Sequence, residues 1–303
     1  MEGARVAPSD HSQMPNGGGS EDQGVRTPKA RGKSIDYNRM RSWLGRFDGY
    51  RVAVTDSRIE QWLKNFSLQD RDLGARVLDA VAFLKSEDME EALRKMVARL
   101  PGWHKNKTRR RGRWRFVAFS ISAGESGDTM LHKSRTALGL TGSKYNELFI
   151  HKADLLREKL GTDDSVAFFD DIAGTGRQAC FAWRELAELL PGNPKTYLIL
   201  IAAGQRAVDR IGNETGLTVV TSLVLGPSDN IFSADCPHFA QSEKDRLLEY
   251  CKKADPKIPQ GSGDCGFVIV FAHKTPNNSI PVLHASHKRW MGLFPRHWRQ
   301  GEC

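Results

Sequence analysis

VAFFDDIAGTGRQACFAW, residues Val166 to Trp183, is the stretch that decides the fold. Its four opening apolar residues have the length and composition of a buried strand. Two acids, Asp170 and Asp171, follow at the strand's carboxyl end. A Gly-Thr-Gly turn comes next, and then a helix whose apolar face includes Cys180, Phe181, Trp183, Leu186 and Leu190. Ligands of open α/β sheets bind at the carboxyl ends of strands. Backbone N–H groups left unpaired at a helix start point at an anion there, and the helix dipole favours it. Gly174 and Gly176 permit backbone angles and a close approach that a Cβ forbids, and the Thr175 hydroxyl adds a donor. Ala173, Gly174, Thr175, Gly176, Arg177 and Gln178 are thus the candidate cradle for a monophosphate.

Asp170 and Asp171 suit the other half of such a ligand. Two carboxylates just before a phosphate cradle repel a bare polyphosphate, yet they are good acceptors for a vicinal diol. Ribose 5-phosphate carries its 2′ and 3′ hydroxyls several ångströms from its phosphate, as this arrangement needs. No lysine follows as in a P-loop, and there is no G-x-G-x-x-G, which weakens NTPase and dinucleotide readings.

Outward from this loop, Arg115 to Ser120, Ser165 to Phe169, Tyr197 to Ala203, Leu217 to Leu225 and Phe267 to Phe271 are short runs rich in Val, Ile, Leu and Phe. Amphipathic stretches such as Gln178 to Leu190 and Arg206 to Gly212 separate most of them. Strands alternating with helices indicate βαβ units and a mostly parallel sheet flanked by helices. Upstream the period is helical. Ile59, Trp62, Leu63 and Phe66 share one face; a second helix opens at an Asp70 cap, and a third opens with Ser86, Glu87 and Asp88 and stops before Pro101. Residues 1–34 are rich in Gly, Pro, Ser and charge and read as a disordered tail. The expected order is therefore this tail, an N-terminal helical region over 35–112, and an α/β domain over 113–298.

The chain has 303 residues, enough for one or two domains of roughly 100–200 residues. Its net charge of +9 favours anionic partners: nucleotides, phosphosugars or nucleic acid. No apolar run approaches the ~20 residues of a membrane helix, and the first residues lack the apolar stretch of a secretory signal. Five scattered cysteines fit free thiols in a reducing cytoplasm better than a disulfide framework.

DDIAGTGRQ resembles the phosphoribosyltransferase signature of two acids, three mixed residues, then Thr-Gly-x-Thr. Gln178 stands where that family has Thr or Ser, keeping a donor on a longer side chain. SAGESG (Ser122–Gly127), HKTPNNSIPVL (His273–Leu283), WMGLFPR (Trp290–Arg296) and the helical preface at Trp62–Phe66 are similar to the narrower conflict-system phosphoribosyltransferase-like family, PRTase-CE. The resemblance spans roughly residues 50–297. It implies a type I phosphoribosyltransferase-like fold, substitution at the anomeric carbon of phosphoribosyl pyrophosphate or a nucleotide, and catalytic Asp170 and Asp171. Magnesium bridged by substrate is also implied, as is a place in bacterial antiviral defence with a protein partner encoded nearby.

Other groups leave alternatives open. Ser122, Gly124, Ser126 and Gly127 follow the first strand, where this superfamily meets pyrophosphate, with Lys133 and Arg135 a turn or two on; a tight turn with surface charges explains them as well. Asn277 and Asn278 could read a base or ribose edge, although Asn-Asn after Pro is also a common turn. Lys105, Lys107, Arg109, Arg110, Arg111, Arg113 and Arg115, with Trp103 and Trp114 interleaved, suit nucleic acid or a solvated loop. Cys236, His238, His284 and His287 lack zinc spacing, and no metal ligand set is expected. Beside the transferase stand two further readings, a non-catalytic nucleotide sensor and a nucleic-acid-binding partner subunit.

Overall fold

A computed structural model describes residues 36–120 and 126–296, and the tail expected over 1–34 lies outside them. The described residues belong to one compact unit. Its centre is a four-stranded parallel sheet. The strands are β2 (Trp114–Ala118), β3 (Ser165–Ala173), β4 (Lys195–Gly204) and β5 (Thr218–Leu225), side by side in that order. The helices laid against it are α4 (Ser86–Ala98), α5 (Ser126–Ala137), α6 (Arg177–Glu188) and α7 (Gln205–Glu214).

Burial on both faces explains the near-continuous apolar runs of β3 and β4. Side chains alternate across the sheet. Ala167, Phe169, Tyr197 and Ile199 enter a core with Met89 and Leu93 of α4 and Met130 of α5. Val166, Phe168, Leu198 and Leu200 enter the opposite core with Ala179, Cys180 and Leu186 of α6 and Ile211 of α7.

Connection handedness places the site. Phe149 makes an isolated parallel bridge with Phe116 of β2, and the Ile150 N–H donates to the Phe116 carbonyl at 3.2 Å. β3 occupies the other side of β2. The chain therefore turns back past β2 through α5, then recrosses to β3. Right-handed crossovers in opposite directions put their helices on opposite faces, as observed for α5 against α6 and α7. The direction reverses between β2 and β3, and such a switch point opens a crevice at the strands' carboxyl ends.

The remaining elements form a second body of core. α1 (Tyr37–Arg46), α2 (Asp56–Leu63), α3 (Arg71–Ala80) and α8 (Gln241–Ala254) share it with the C-terminal segment. Phe47 meets Phe294 edge-on at 5.0 Å between ring centroids. The Trp62 indole N–H donates to the Val282 carbonyl at 2.7 Å. A parallel pair, β1 (Ala82–Leu84) with β6 (Ile269–Phe271), and an antiparallel pair, β7 (Ser286–His287) with β8 (Trp290–Met291), complete the fold.

Three expectations change in detail. The helical region expected over 35–112 divides between two cores. α1 to α3 join the C-terminal segment while α4 covers the sheet, because an amphipathic period shows that a face is buried but not against what. The run 267–271 gives β6, which joins β1 rather than the main sheet. Asp70 precedes α3 without capping it through its side chain, since its carboxylate accepts from Arg246 at 2.9 Å and Tyr250 at 2.8 Å.

Candidate functional site

A cleft of about 450 Å³ opens at the switch point. Phe119, Ser120 and Ser126 line it from the β2 side, and Asp170 through Gln178 from the β3 side. Strand β3 runs on through both acids to Ala173, so Asp170 and Asp171 project from a hydrogen-bonded strand rather than from a loop. Their positions are thus set by the sheet.

The cradle follows directly. Gly176 has φ +74° and no side chain caps the start of α6 behind it. A left-handed residue at that point turns the chain from strand into helix with the first N–H groups facing the cleft. Arg210 of α7 fixes the turn from beneath by donating to the Thr175 carbonyl at 3.0 Å. Arg177 and Gln178 are exposed at the rim.

Each acid has its own partner. The Ser126 hydroxyl donates to Asp170 Oδ1 at 2.6 Å. Asp171 is buried and its Oδ2 lies 3.2 Å from His273 Nε2. The His273 ring stacks on Phe271 at 5.7 Å.

The opposite wall is Lys274, Pro276, Asn277 and Asn278, with Ser262, Gly263 and Arg296. The aromatic core of α1 and α2 supports it. Thr275 Oγ1 donates to the Phe294 carbonyl at 2.8 Å, and the Tyr50 hydroxyl to the Pro295 carbonyl at 2.8 Å. Burial pushes the Arg296 guanidinium below its ordinary pKa, against the pull of Asp171 in the other direction.

The structure thus gathers Asp170, Asp171, Ala173 to Gln178, Ser126, Asn277 and Asn278 around one space. Asn277 is exposed on the rim. Asn278 is buried and its amide donates to the Ser262 carbonyl at 3.0 Å, which commits that donor to holding the wall together. Gly127 packs against the Phe119 backbone outside the cleft lining. Ser122 and Gly124 lie outside the described residues. Lys133 donates to Ser86 Oγ at 3.2 Å and Arg135 to Asn146 Oδ1 at 2.6 Å, so both serve packing. As single residues His273, Lys274 and Arg296 have no signature of their own in the sequence. Their signal was their place inside the HKTPNNSIPVL and WMGLFPR segments.

The basic run is largely tied down. Lys107 pairs with Glu147, Arg113 with Asp164 and Arg115 with Glu158. Arg110 lies over the Trp103 ring and donates to the His104 carbonyl at 2.7 Å. Trp114 is buried, stacked with Tyr197 at 5.8 Å. Elsewhere His284 Nε2 lies 3.2 Å from the Ser279 carbonyl oxygen, and His287 Nε2 lies 3.0 Å from that of Ala254.

Magnesium can be tested against the donor set. Among the described residues no group of three or more His, Cys, Asp or Glu could hold a metal. Two cleft carboxylates without a third partner fit an ion whose remaining ligands are substrate oxygens and water.

Paired carboxylates on a strand, followed by a glycine-turned helix start at the switch point of a parallel sheet, define a phosphoribosyltransferase-like site. The PRTase-CE family matches residues 59–296, most of the chain, and the chain belongs to that family. No curated protein matches it. No helix among the described residues is long and apolar enough to cross a membrane.

Proposed function

We propose that the cleft binds a ribose 5-phosphate ligand, phosphoribosyl pyrophosphate or a nucleotide, and acts at its anomeric carbon. The observation that carries this reading is the opening of the Asp170–Asp171 pair and the 174–178 cradle into one cleft. The N–H groups of Gly174 to Gln178 hold the 5-phosphate, and binding energy there orients the distant reacting carbon. Asp170 and Asp171 accept hydrogen bonds from the ribose diol. In the substitution the bond from C1 to the leaving group breaks with its electron pair, and an acceptor's lone pair forms the new bond to C1. Positive charge develops at C1 and the ring oxygen in between, and the two carboxylates favour it. Ser126 orients Asp170 and His273 orients Asp171. Magnesium, held by Asp170 and Asp171 through substrate oxygens, would neutralise charge on a departing pyrophosphate. A role in bacterial antiviral defence, with a protein partner in the cytoplasm, belongs to the same proposal and rests on family membership.

Calorimetric titration with phosphoribosyl pyrophosphate and magnesium tests it. Binding by the wild type that is lost in Asp171→Ala is the expected result. Absence of binding by both proteins would sink the sugar-phosphate reading.

One observation favours a second reading, a sensor without turnover. The cleft's far wall is tied to the segment joining α1 to α2 through the Tyr50 hydroxyl on the Pro295 carbonyl and the Phe47 ring against Phe294, so ligand engaging that wall would be felt in that segment. Asp170→Asn separates the two readings. Biological activity retained in that variant favours the sensor, and its loss together with turnover favours the enzyme.

A further inference from the structure

Helix α6 carries the cradle at its start and buries Ala179, Cys180, Ala182 and Leu186 on one side. Its outer side has a different composition. Arg177, Phe181 and Arg184 stand at i, i+4 and i+7 and so share one exposed face. Phe181 is 57% exposed, and neither arginine has an ion-pair partner among the described residues. A lone exposed apolar residue needs no explanation. An aromatic ring flanked by two unpaired guanidinium groups is different, because that composition holds a base and its phosphates. The face is continuous with the cleft, since Arg177 and Gln178 line the cleft's rim. It is also bounded. Glu185 and Glu188, exposed one turn beyond Phe181 and Arg184, repel a longer polyanion. By the helix rise Phe181 lies about 6 Å and Arg184 about 10 Å past Arg177, which is room for one further nucleotide.

We propose that this face binds the neighbouring nucleotide on the 5′ side, so that the cleft's ligand is the 3′-terminal ribonucleotide of a single RNA strand. This rests on the sugar-phosphate reading above and names the substrate class for it. A phosphodiester keeps two unesterified oxygens. The N–H groups of Gly174 to Gln178 hold those, while the ester oxygen leads out over the rim. Phe181 stacks the penultimate base, and Arg184 meets the phosphate beyond it. The acid pair fixes which nucleotide enters. Asp170 and Asp171 accept from both ribose hydroxyls only where neither is esterified. Within an RNA chain the next phosphate occupies the 3′ oxygen, and DNA lacks the 2′ hydroxyl. Among nucleic-acid positions, only the last ribonucleotide of an RNA offers a 5′-phosphodiester together with a free diol. A pyrophosphate-joined dinucleotide offers both too, but its second phosphate is bonded to the first and falls short of Arg184.

The test is calorimetric titration of the full chain with an adenylate RNA trinucleotide, its 3′-phosphorylated form and its DNA counterpart. Adenosine monophosphate, diadenosine diphosphate and phosphoribosyl pyrophosphate are run beside them. The proteins are wild type, Phe181→Ala, Phe181→Trp and Arg184→Ala, with thermal melting to establish that the variants fold. The expected result is that the wild type binds the RNA trinucleotide about tenfold more tightly than any other adenylate probe. Phe181→Ala loses that advantage and Phe181→Trp restores it. Arg184→Ala weakens the trinucleotide and lowers its salt slope by about 0.7, while adenosine monophosphate binds all four proteins alike. Adenosine monophosphate, diadenosine diphosphate, the DNA or the 3′-phosphorylated RNA binding as tightly as the trinucleotide overturns the proposal. So does Phe181→Ala weakening every probe equally. In each case the sugar-phosphate reading stands, as it does where phosphoribosyl pyrophosphate binds and the RNA does not. Binding of no probe to the wild type overturns both.

Discussion

Gly174 and Asn278 interlock. A Cβ at position 174 would collide with the Asn278 amide nitrogen and stand 2.8 Å from Cys265 Sγ. Asn278 cannot retreat, because it is buried and its amide donates to the Ser262 carbonyl at 3.0 Å. The missing Cβ at Gly174 therefore lets the far wall close against the near one. Gly174→Ala should lower stability by about 1–3 kcal/mol, the usual cost of overpacking, and should widen the cleft enough to weaken ligand binding. Adding Asn278→Ala removes the atom that is struck. The double variant should then be more stable than the sum of the two single losses implies. Strict additivity in urea unfolding would show that the collision is not the cause.

The run from Lys105 to Arg115 makes a divided prediction. Arg113 and Arg115 are paired with Asp164 and Glu158, and the Arg115 side chain is only 13% exposed. Lys105, Arg109 and Arg111 have no ion pair among the described residues. Any nucleic-acid contact by this segment rests on those three. Arg109→Ala with Arg111→Ala should flatten the salt dependence of binding to a short duplex by a slope of about 2 while leaving thermal stability unchanged. Arg115→Ala should instead lower stability. Equal salt slopes for wild type and the double variant would remove nucleic acid as a partner of this face.

What the sequence conveyed and what it withheld divide along a physical line. The strand, acid pair, glycine turn and helix of 166–183 were legible because contiguous residues build them and each step has a local rule. The helical periods upstream were legible as burial, yet not as partners. Ile59 and Trp62 report that α2 has a covered face, but nothing in their spacing says that Val282 and Leu293 cover it. That pairing spans more than two hundred residues, and it is what brings Lys274 and Arg296 to the cleft. Two cations that become a wall only through a long-range contact carry no local signature. Asp70 shows the same limit in miniature. Local rules make it a helix cap, and Arg246 and Tyr250, distant in sequence, draw its carboxylate away. The ion pairing of the basic run is hidden in the sequence for the same reason, since its acidic partners Glu147, Glu158 and Asp164 lie beyond β2.

Asp164 links the fold to pH. Its carboxylate accepts from the Arg113 backbone N–H at 2.7 Å, the Gly161 N–H at 2.9 Å and the Arg113 guanidinium at 2.7 Å. Burial alone would raise its pKa, but the Gly161 and Arg113 donors together outweigh burial and hold the carboxyl below its usual range. An aspartate in an unfolded chain titrates near about 3.9. A folded-state value below that makes the stabilisation fully present above about pH 3.9. It is lost as pH falls from there through the folded value, because the unfolded chain takes up the proton first. Asp164→Asn keeps the volume and removes the charge. It should reduce unfolding free energy near neutral pH by about 1.5–3 kcal/mol, the range for hydrogen bonds to a charged group. The variant's stability should also fall less steeply than the wild type's in acid, so the two curves converge. Urea unfolding at about pH 7 and about pH 3 reads both effects. A loss of the same size at both pH values would mean that the carboxylate's charge contributes nothing and that Asp164 acts through shape alone.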